Sequence, residues 1–293
     1  MTASEPVEKR VHANGIDFTY LEWGQGPLLL CLHGFPDTAH SWDETAPICA
    51  EAGYRVVAPH TRGYAPTSTP ADGDFSVLSQ ARDVLALIDV LTSEEMGGDG
   101  SGKAYVQGHD WGCYSAYAAA NLAPEKVIKL IASSVPHMHK PALTWAQMRK
   151  SWYVFFFQLP KLPEKRVPKD GFAFIDRLYD AWSPYWEGRA QAAKDVKRAL
   201  AQPDGLRNAL GYYRFFISKQ SKEQKEVMAR VTTVPTLLFQ GEADGSVDCR
   251  QHAHANECYS QLDELIMMPR VGHFPHRERP QEVAQRVLRF LEK

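Results

Sequence analysis

The stretch "VQGHDWGCYS", residues 106–115, decides the fold because it joins an apolar segment to a helix of small residues through a glycine-flanked turn. Gly108 and Gly112 stand two residues on either side of Asp110. Glycine is needed where the backbone is strained or where neighbouring chains approach closely. A sharp turn between a strand and a helix presents a nucleophile at its tip, and the residue presented here is an aspartate.

A carboxylate at position 110 favours one class of electrophile. With an ordinary pKa of about 3.9, Asp110 is ionised at neutral pH and needs no base to activate it. Attack on an acyl carbon would form an anhydride, whereas attack on a saturated carbon bearing a leaving group forms an alkyl ester that water can cleave. Asp110 therefore predicts substrates such as epoxides or alkyl halides, and it disfavours esters and amides.

Segments with the patterns of strands and helices alternate along most of the chain. The predicted helices span residues 42–51, 76–91, the segment after Asp110, and 279–293. The predicted strands span residues 16–24, 27–34, 54–60, 103–108, 126–135, 234–241 and 264–269. Strands that are apolar on both faces and separated by helices indicate an α/β fold with a mostly parallel sheet covered on both sides.

One long block interrupts this alternation. Between Pro136 and about Arg230 the chain has aromatic-rich helical segments separated by prolines and no convincing strand. We expect residues 1–136 and 231–293 to form one core domain and residues 137–230 to form a helical cap. An insertion at this point would cover the strand ends, where such sheets bind ligands.

Composition excludes several classes of function. The 293 residues carry a formal net charge of −2, and no block of Lys or Arg exceeds two or three residues, which disfavours nucleic acid or an acidic membrane as partner. The cysteines are odd in number and lack the spacing of a zinc site, so no metal or disulfide framework is expected. No signal peptide or long apolar run is evident, so a cytoplasmic protein is expected. Attack by the Asp110 carboxylate, followed by hydrolysis, implies no cofactor. The cysteines are Cys31, Cys49, Cys113, Cys249 and Cys258.

Four motifs together resemble the α/β-hydrolase superfamily. They are "HGFP" (33–36), "GHDWG" (108–112), "GEAD" (241–244) and "GHF" (272–274), in that order and spacing. The aspartate at the turn resembles the epoxide hydrolase and haloalkane dehalogenase branch, and the resemblance extends from about residue 10 to the end. It implies an eight-stranded, mostly parallel sheet flanked by helices, with a helical cap.

The same resemblance implies a catalytic triad in the chain order nucleophile, acid, histidine. The candidates are Asp110, Asp244 and His273, since Asp244 and His273 each follow a predicted strand. His273, oriented by Asp244, would take a proton from the water that cleaves the ester. Asp248 is the alternative acid. The backbone N–H of Trp111 and, as the family pattern implies, that of Phe35 would stabilise the oxyanion.

The leaving group distinguishes the two branches. Epoxide opening produces an alkoxide that must be protonated, which suits tyrosine hydroxyls, whereas a halide needs only N–H donors. The resemblance to epoxide hydrolases implies two cap tyrosines, Tyr153 in "WYVFFFQ" and Tyr213 in "GYYRFF", with Tyr212 as the alternative to Tyr213. The side chains expected to line an apolar substrate pocket are Phe35, Trp111, Trp152, Phe156 and Tyr212.

The sequence thus favours an epoxide hydrolase that acts on a small apolar epoxide with water. The first alternative is a haloalkane dehalogenase with the same nucleophile; such enzymes share Trp111 but typically carry a polar residue where this chain has Phe35. The second alternative is a ligand-binding protein that kept the fold without turnover. The sequence leaves open whether the protein is a monomer or a homodimer.

Overall fold

The computed structural model describes residues 5–141 and 144–293, and the strands in these residues form one eight-stranded sheet. The strands are β1 Val7–Ala13, β2 Ile16–Trp23, β3 Leu28–Leu32, β4 Arg55–Pro59, β5 Ala104–His109, β6 Val127–Ser133, β7 Thr236–Gly241 and β8 Leu262–Met268. Their order is β1-β2-β4-β3-β5-β6-β7-β8. The β1–β2 and β2–β4 pairs are antiparallel, and the neighbours from β4 to β8 are parallel. The mostly parallel sheet predicted from the sequence is therefore confirmed.

Strand β1 was not predicted from the sequence. It pairs with β2 along its whole length at the edge of the sheet, and only Ala13 of its residues is buried. An edge strand that packs little against the core needs no apolar alternation, so no hydrophobic pattern marks this segment. The strand completes the sheet through backbone hydrogen bonds.

The helices lie between the strands and, for a long stretch, between β6 and β7. Those of the core are α1 Ala46–Glu51, α2 Val77–Leu91, α3 Trp111–Leu122, α11 Ala255–Cys258, α12 Pro275–Glu278 and α13 Pro280–Glu292. Those between β6 and β7 are α4 Trp145–Lys150, α5 Trp152–Gln158, α6 Leu162–Arg166, α7 Lys169–Trp182, α8 Arg189–Leu200, α9 Gly205–Ser218 and α10 Lys222–Met228. The helix predicted at 42–51 begins only at Ala46, because the chain before it forms the 3₁₀ turn Ala39–Trp42.

The sheet separates two apolar layers. Leu29 and Val56 belong to the layer that α1 and α13 cover, whereas Leu30 and Val57 belong to the layer that α2 and α3 cover. Successive residues of a strand point to opposite faces, so strands buried on both sides read as continuous apolar runs. This arrangement leaves the turns that follow the parallel strands at one edge of the sheet.

The segment between β6 and β7 contains helices and no strand in residues 136–141 and 144–235. Its helices α5 and α9 carry the predicted tyrosines, Tyr153 and Tyr213. The division into a core domain and a cap at residues 137–230 stays a prediction. In the part of the chain that the structure describes, no helix combines the length and apolar character that crossing a lipid bilayer requires.

Candidate active site

Asp110 lies in the turn between β5 and α3 with a left-handed backbone. Its φ is 52° and its ψ is −117°, a conformation that residues with a Cβ rarely adopt. A Cβ on Gly108 would collide with the carbonyl of Gly112, and one on Gly112 would collide with the carbonyl of Leu32. The two glycines therefore allow the tight turn that holds the aspartate at the end of β5.

The carboxylate of Asp110 is held between a backbone donor and an imidazole. The N–H of Phe35 donates a hydrogen bond to Oδ1 at 2.7 Å, and Nε2 of His273 lies 3.5 Å from Oδ2. The residue is 7% exposed. Burial on its own would raise the pKa of Asp110, but the adjacent His273 ring and the Phe35 N–H hold that pKa below its usual value. Asp110 is therefore an anion at neutral pH.

Asp244 orients His273 from the loop after β7. His273 Nδ1 donates to Asp244 Oδ2 at 2.9 Å, and both side chains are buried. Asp244 Oδ1 accepts from the N–H groups of Ser246 at 2.7 Å and Val247 at 2.9 Å. Gln240 Nε2 donates to Oδ2 at 3.2 Å. With both oxygens hydrogen-bonded in this way, Asp244 fixes the orientation of the imidazole and leaves Nε2 facing Asp110.

The two carboxylates determine the charge of His273. Burial alone would lower the pKa of this imidazole, but the negative charges and hydrogen bonding of Asp244 and Asp110 raise it to about 10. His273 therefore carries a proton at neutral pH while Asp110 is ionised. Loss of either charge would lower its pKa.

The backbone of His273 is fixed from two sides. Its N–H donates to the carbonyl of Trp182 at 3.0 Å and to Ser183 Oγ at 3.0 Å, both at the end of α7. Its carbonyl accepts from Nε2 of His109 at 2.8 Å. His109 and the end of α7 thus hold the loop that carries His273 in place.

Asp248, the alternative acid, lies elsewhere. Its oxygens pair with the guanidinium of Arg250 at 2.6 Å, and its side chain caps the 3₁₀ turn Cys249–His252. The hydrogen bonds from Arg250 lower the pKa of Asp248 to about 2. Among the residues the structure describes, Asp244 rather than Asp248 hydrogen-bonds to His273.

Tyr153 and Tyr213 lie close to Asp110, and their ring centroids are 5.8 Å apart. The Tyr153 hydroxyl lies 3.1 Å from Ser246 Oγ, whereas the buried Tyr213 hydroxyl makes no hydrogen bond of normal geometry within residues 5–141 and 144–293 and interacts only with the side chain of Trp111. Burial first, and the charge of Asp110 in addition, raise the pKa of both tyrosines above their usual value of 10. Both hydroxyls therefore hold their protons at neutral pH.

Tyr212, the alternative to Tyr213, directs its hydroxyl to the core. It donates to the carbonyl of Arg62 at 2.8 Å, and its oxygen lies 3.2 Å from Thr61 Oγ1, within hydrogen-bond distance. Its ring packs against Trp111 with centroids 5.8 Å apart. The hydroxyl of Tyr212 is thus engaged, and only its ring is available to line the site.

The two predicted oxyanion donors flank the carboxylate. The backbone N–H of Phe35 donates to the Asp110 carboxylate, and Trp111 is the residue directly after Asp110 in the chain. A Cβ on Gly34 would collide with the Asp110 side chain and with the backbone nitrogen of Trp111. The absence of a side chain at Gly34 is what lets both N–H groups approach position 110.

Comparison with known proteins agrees with this geometry. Residues 27–280 match the family described as the alpha/beta hydrolase fold. The chain belongs to this family. It is similar to the AB hydrolase superfamily protein YfhM of Bacillus subtilis, with 32% identity over 96% of both chains. It is also similar to epoxide hydrolase A of Mycobacterium tuberculosis, with 27% identity over 98% of this chain and 97% of the other.

Among solved structures, potato epoxide hydrolase I is similar over 98% of this chain and 99% of that one, with a TM-score of 0.81 and 25% identity. The relatives from Mycobacterium tuberculosis and potato are named epoxide hydrolases, which agrees with the branch of the α/β-hydrolase family that the sequence motifs predicted. The roles of the individual site residues stay predictions.

Of the predicted pocket residues, the structure brings Phe35 and Trp111 to Asp110 but not Trp152 and Phe156. The Tyr213 ring lies edge-on to Phe35 at 5.3 Å and to Trp111 at 4.9 Å. Trp152 and Phe156 instead pack on Phe174, with centroids 5.8 and 5.6 Å away. Trp152 also lines an open cavity of about 490 Å³ that includes Trp182 but not Asp110.

Two further aromatic residues of this α/β-hydrolase site were missed. Phe157 is fully buried, and its ring lies 5.0 Å from Tyr213 and 5.5 Å from Phe35. Trp182 places its ring 4.9 Å from both His273 and Tyr153. Phe157 stands four residues after Tyr153, so helical spacing was the available signal for Phe157; no motif marks Trp182.

One cluster could supply metal ligands. Asp37, His109 and His276 are buried, and one ligand atom of each lies within 4.8 Å of the others. However, the Asp37 carboxylate accepts a hydrogen bond from the Thr38 N–H at 2.9 Å and another from the Arg277 guanidinium at 3.2 Å. A guanidinium already neutralises this carboxylate, which disfavours a cation there. The expected absence of a metal stays a prediction.

Proposed function

We propose that this chain is an epoxide hydrolase that converts a small apolar epoxide and water into a vicinal diol through an ester on Asp110. The observation that carries the proposal is the environment of the Asp110 carboxylate. It is an anion beside the His273 imidazole, near two tyrosine hydroxyls that keep their protons. Relatives whose names describe epoxide hydrolases support the same activity.

In the first half-reaction an oxygen of Asp110 attacks a ring carbon. The new bond joins that oxygen to the carbon, and the bond between the carbon and the epoxide oxygen breaks. The epoxide oxygen takes a proton from Tyr213 or Tyr153. Because a buried tyrosinate is unfavourable, as the raised pKa values of both residues indicate, the tyrosine must recover a proton before the cycle ends.

The proton held by His273 is the available source. Its pKa of about 10 depends in part on the charge of Asp110, and that charge disappears when the ester forms. The pKa of His273 then falls, so the ring releases its proton and becomes a base. Ester formation thereby prepares His273 for the second step.

In the second half-reaction neutral His273 takes a proton from water, and the water oxygen attacks the Asp110 carbonyl carbon. The N–H groups of Phe35 and Trp111 stabilise the resulting oxyanion. Collapse expels the alcohol oxygen, which takes up the second proton of the attacking water, and leaves Asp110 ionised beside a protonated His273. The oxygen added to the substrate is therefore one that belonged to Asp110, and the water oxygen stays in the carboxylate.

His273→Gln tests this scheme. We expect the variant to form the ester but to hydrolyse it about 10² to 10⁴ times more slowly, so the peptide containing Asp110 gains the mass of the epoxide. Asp110→Ala is the control and should show no mass gain. A folded His273→Gln protein that binds epoxide yet leaves Asp110 unmodified would contradict the two-step mechanism.

A haloalkane dehalogenase is the second candidate because of Trp111. Its indole N–H is buried, makes no hydrogen bond of normal geometry to the described residues and interacts only with the Tyr213 hydroxyl, and such a donor can bind a halide. Incubation with an aryl epoxide and with a bromoalkane distinguishes the candidates. Diol without bromide supports the proposal, and bromide without diol supports the dehalogenase. Neither product, across a broad panel, would indicate a ligand-binding protein without turnover.

A further inference from the structure

Helices α4 and α5 present a row of large apolar side chains to solvent. Trp145 and Met148 lie three residues apart on α4, and Trp152 and Phe155 lie three residues apart on α5, a spacing that places each pair on one face of its helix. Their exposed fractions are 81%, 49%, 52% and 61%. A group of exposed apolar residues of this size marks an interaction surface. We call these four residues the exposed stripe.

The chain around the exposed stripe is basic. Residues 145–170 contain six Lys or Arg and two Asp or Glu, whereas the whole chain has a net charge of −2. One of the acidic residues, Glu164, is paired with Arg214 at 2.7 Å. Several of the cations are exposed and form no ion pair with any residue in 5–141 or 144–293. They are Arg149, Lys161, Lys165, Arg166 and Lys169.

The charge distinguishes between two possible occupants of this surface. In a two-fold dimer the same patch faces itself, so the cations of one copy would meet those of the other. An anionic lipid surface accepts both features, because apolar side chains insert at the boundary of the acyl chains while Lys and Arg contact the head groups. We propose that α4–α6 form a docking surface for an anionic lipid bilayer.

This proposal departs from the expectation that no acidic membrane is a partner. That expectation rested on the absence of a long run of Lys or Arg in the sequence. Here the cations alternate with apolar residues, and the structure exposes both kinds. Peripheral binding of this type needs no helix that crosses the bilayer.

Lipid docking also gives the cavity of about 490 Å³ a role, in a step that rests on the proposed function. Arg149 and Trp152 line the cavity beside the exposed stripe, and Trp182 lines it close to His273. A chain docked through the stripe would therefore present the cavity to the lipid. An apolar epoxide dissolved in the bilayer would then enter the cavity from the lipid and meet Trp182, whose ring contacts His273.

Sedimentation of the full chain with vesicles tests the docking itself. The probes are vesicles of phosphatidylcholine alone and vesicles in which about a quarter of the lipid is phosphatidylserine. We expect binding to the anionic vesicles that weakens as salt is added. Trp145→Ser with Phe155→Ser should reduce the partition coefficient at least about tenfold, and Lys165→Ala should reduce it about fivefold. Val7→Ser is the control, since Val7 is 57% exposed on β1, outside the stripe.

Three results would overturn the docking proposal. The first is an absence of binding to anionic vesicles, and the second is equal binding to both vesicle types. The third is a dimer in size-exclusion chromatography that Trp145→Ser makes monomeric, because the stripe would then be occupied by a second copy.

Hydrolysis of a water-soluble epoxide is a separate readout. It should not change in Trp145→Ser with Phe155→Ser, and its absence in the unmodified protein would contradict the proposed activity alone.

Discussion

The core loops and the inserted helices hold their site residues in different ways. In the core, Asp244 accepts four hydrogen bonds and holds His273 in one orientation. In the inserted helices, Tyr213 is held by the rings around it, and its buried hydroxyl makes no hydrogen bond of normal geometry to the described residues. Polar contacts therefore fix the proposed base, His273, whereas aromatic packing fixes the proposed acid, Tyr213.

The difference follows from what each group must do. A base needs one tautomer and one direction, which a network with all its hydrogen bonds made can impose. A proton donor must keep its hydroxyl available for the substrate oxygen. A buried hydroxyl without a partner costs about 1–3 kcal/mol, a cost that is offset when a ligand supplies the acceptor. The unpartnered hydroxyl of Tyr213 is thus consistent with a role toward substrate.

The largest effect should come from breaking the polar network. In Asp244→Asn the amide can donate to Nδ1 of His273, which would favour the wrong tautomer, and ester hydrolysis should fall about 10⁴-fold. Rapid-quench kinetics with mass analysis of the Asp110 peptide would measure this loss. Asp248→Asn is the matched control and should stay within about threefold, because Asp248 contacts Arg250 rather than His273. Equal losses in the two variants would contradict the assignment of the acid.

A smaller effect should come from removing a hydroxyl from the aromatic packing. Tyr213→Phe should slow ester formation about 10²-fold, measured in a single turnover. Its free energy of unfolding should fall by less than about 0.5 kcal/mol, because the hydroxyl makes no hydrogen bond of normal geometry to the described residues.

Tyr212→Phe is the control for that prediction. It should keep the rate of ester formation but lose about 1 kcal/mol of stability, since its hydroxyl bonds to the carbonyl of Arg62. Urea denaturation measures the second effect. A rate loss in Tyr212→Phe that matches the loss in Tyr213→Phe would remove the distinction between the two tyrosines.

The same contrast explains how much the sequence could predict. Asp110, Asp244 and His273 stand in short turns directly after strands, so the strand pattern and the flanking glycines locate them. The helices between β6 and β7 lack such markers. In "WYVFFFQ" apolar residues occupy every face of the helix, and periodicity cannot indicate which face is buried.

The structure resolves that ambiguity in α5. Tyr153 and Phe157, four residues apart, are buried toward the site, whereas Phe155 is exposed and Trp152 half-exposed. The predicted pocket residue Phe156 lies one position from Phe157, and a single position turns a side chain by about 100° around a helix. Trp182 could not be predicted, because its contact with His273 joins segments that lie about ninety residues apart in the chain.

The smallest expected effect is the pH dependence of ester formation. Asp110 has a lowered pKa and stays ionised as the pH falls, while Tyr153 and Tyr213 have raised pKa values and stay protonated as the pH rises. Ester formation should therefore be constant between about pH 5 and pH 9. Ester hydrolysis should instead increase with pH, because it needs neutral His273. Single-turnover kinetics separates the two steps.

His273→Gln sharpens this prediction. The histidine is the main group that lowers the pKa of Asp110, and burial acts in the opposite direction. Without the ring the burial effect is no longer offset, so the pKa of Asp110 should rise and the rate of ester formation should fall at the acid end of the range. An unchanged profile in the variant would mean that His273 does not set the charge of the nucleophile. A steep acid limb near neutral pH in the unmodified protein would mean that Asp110 is not held as an anion.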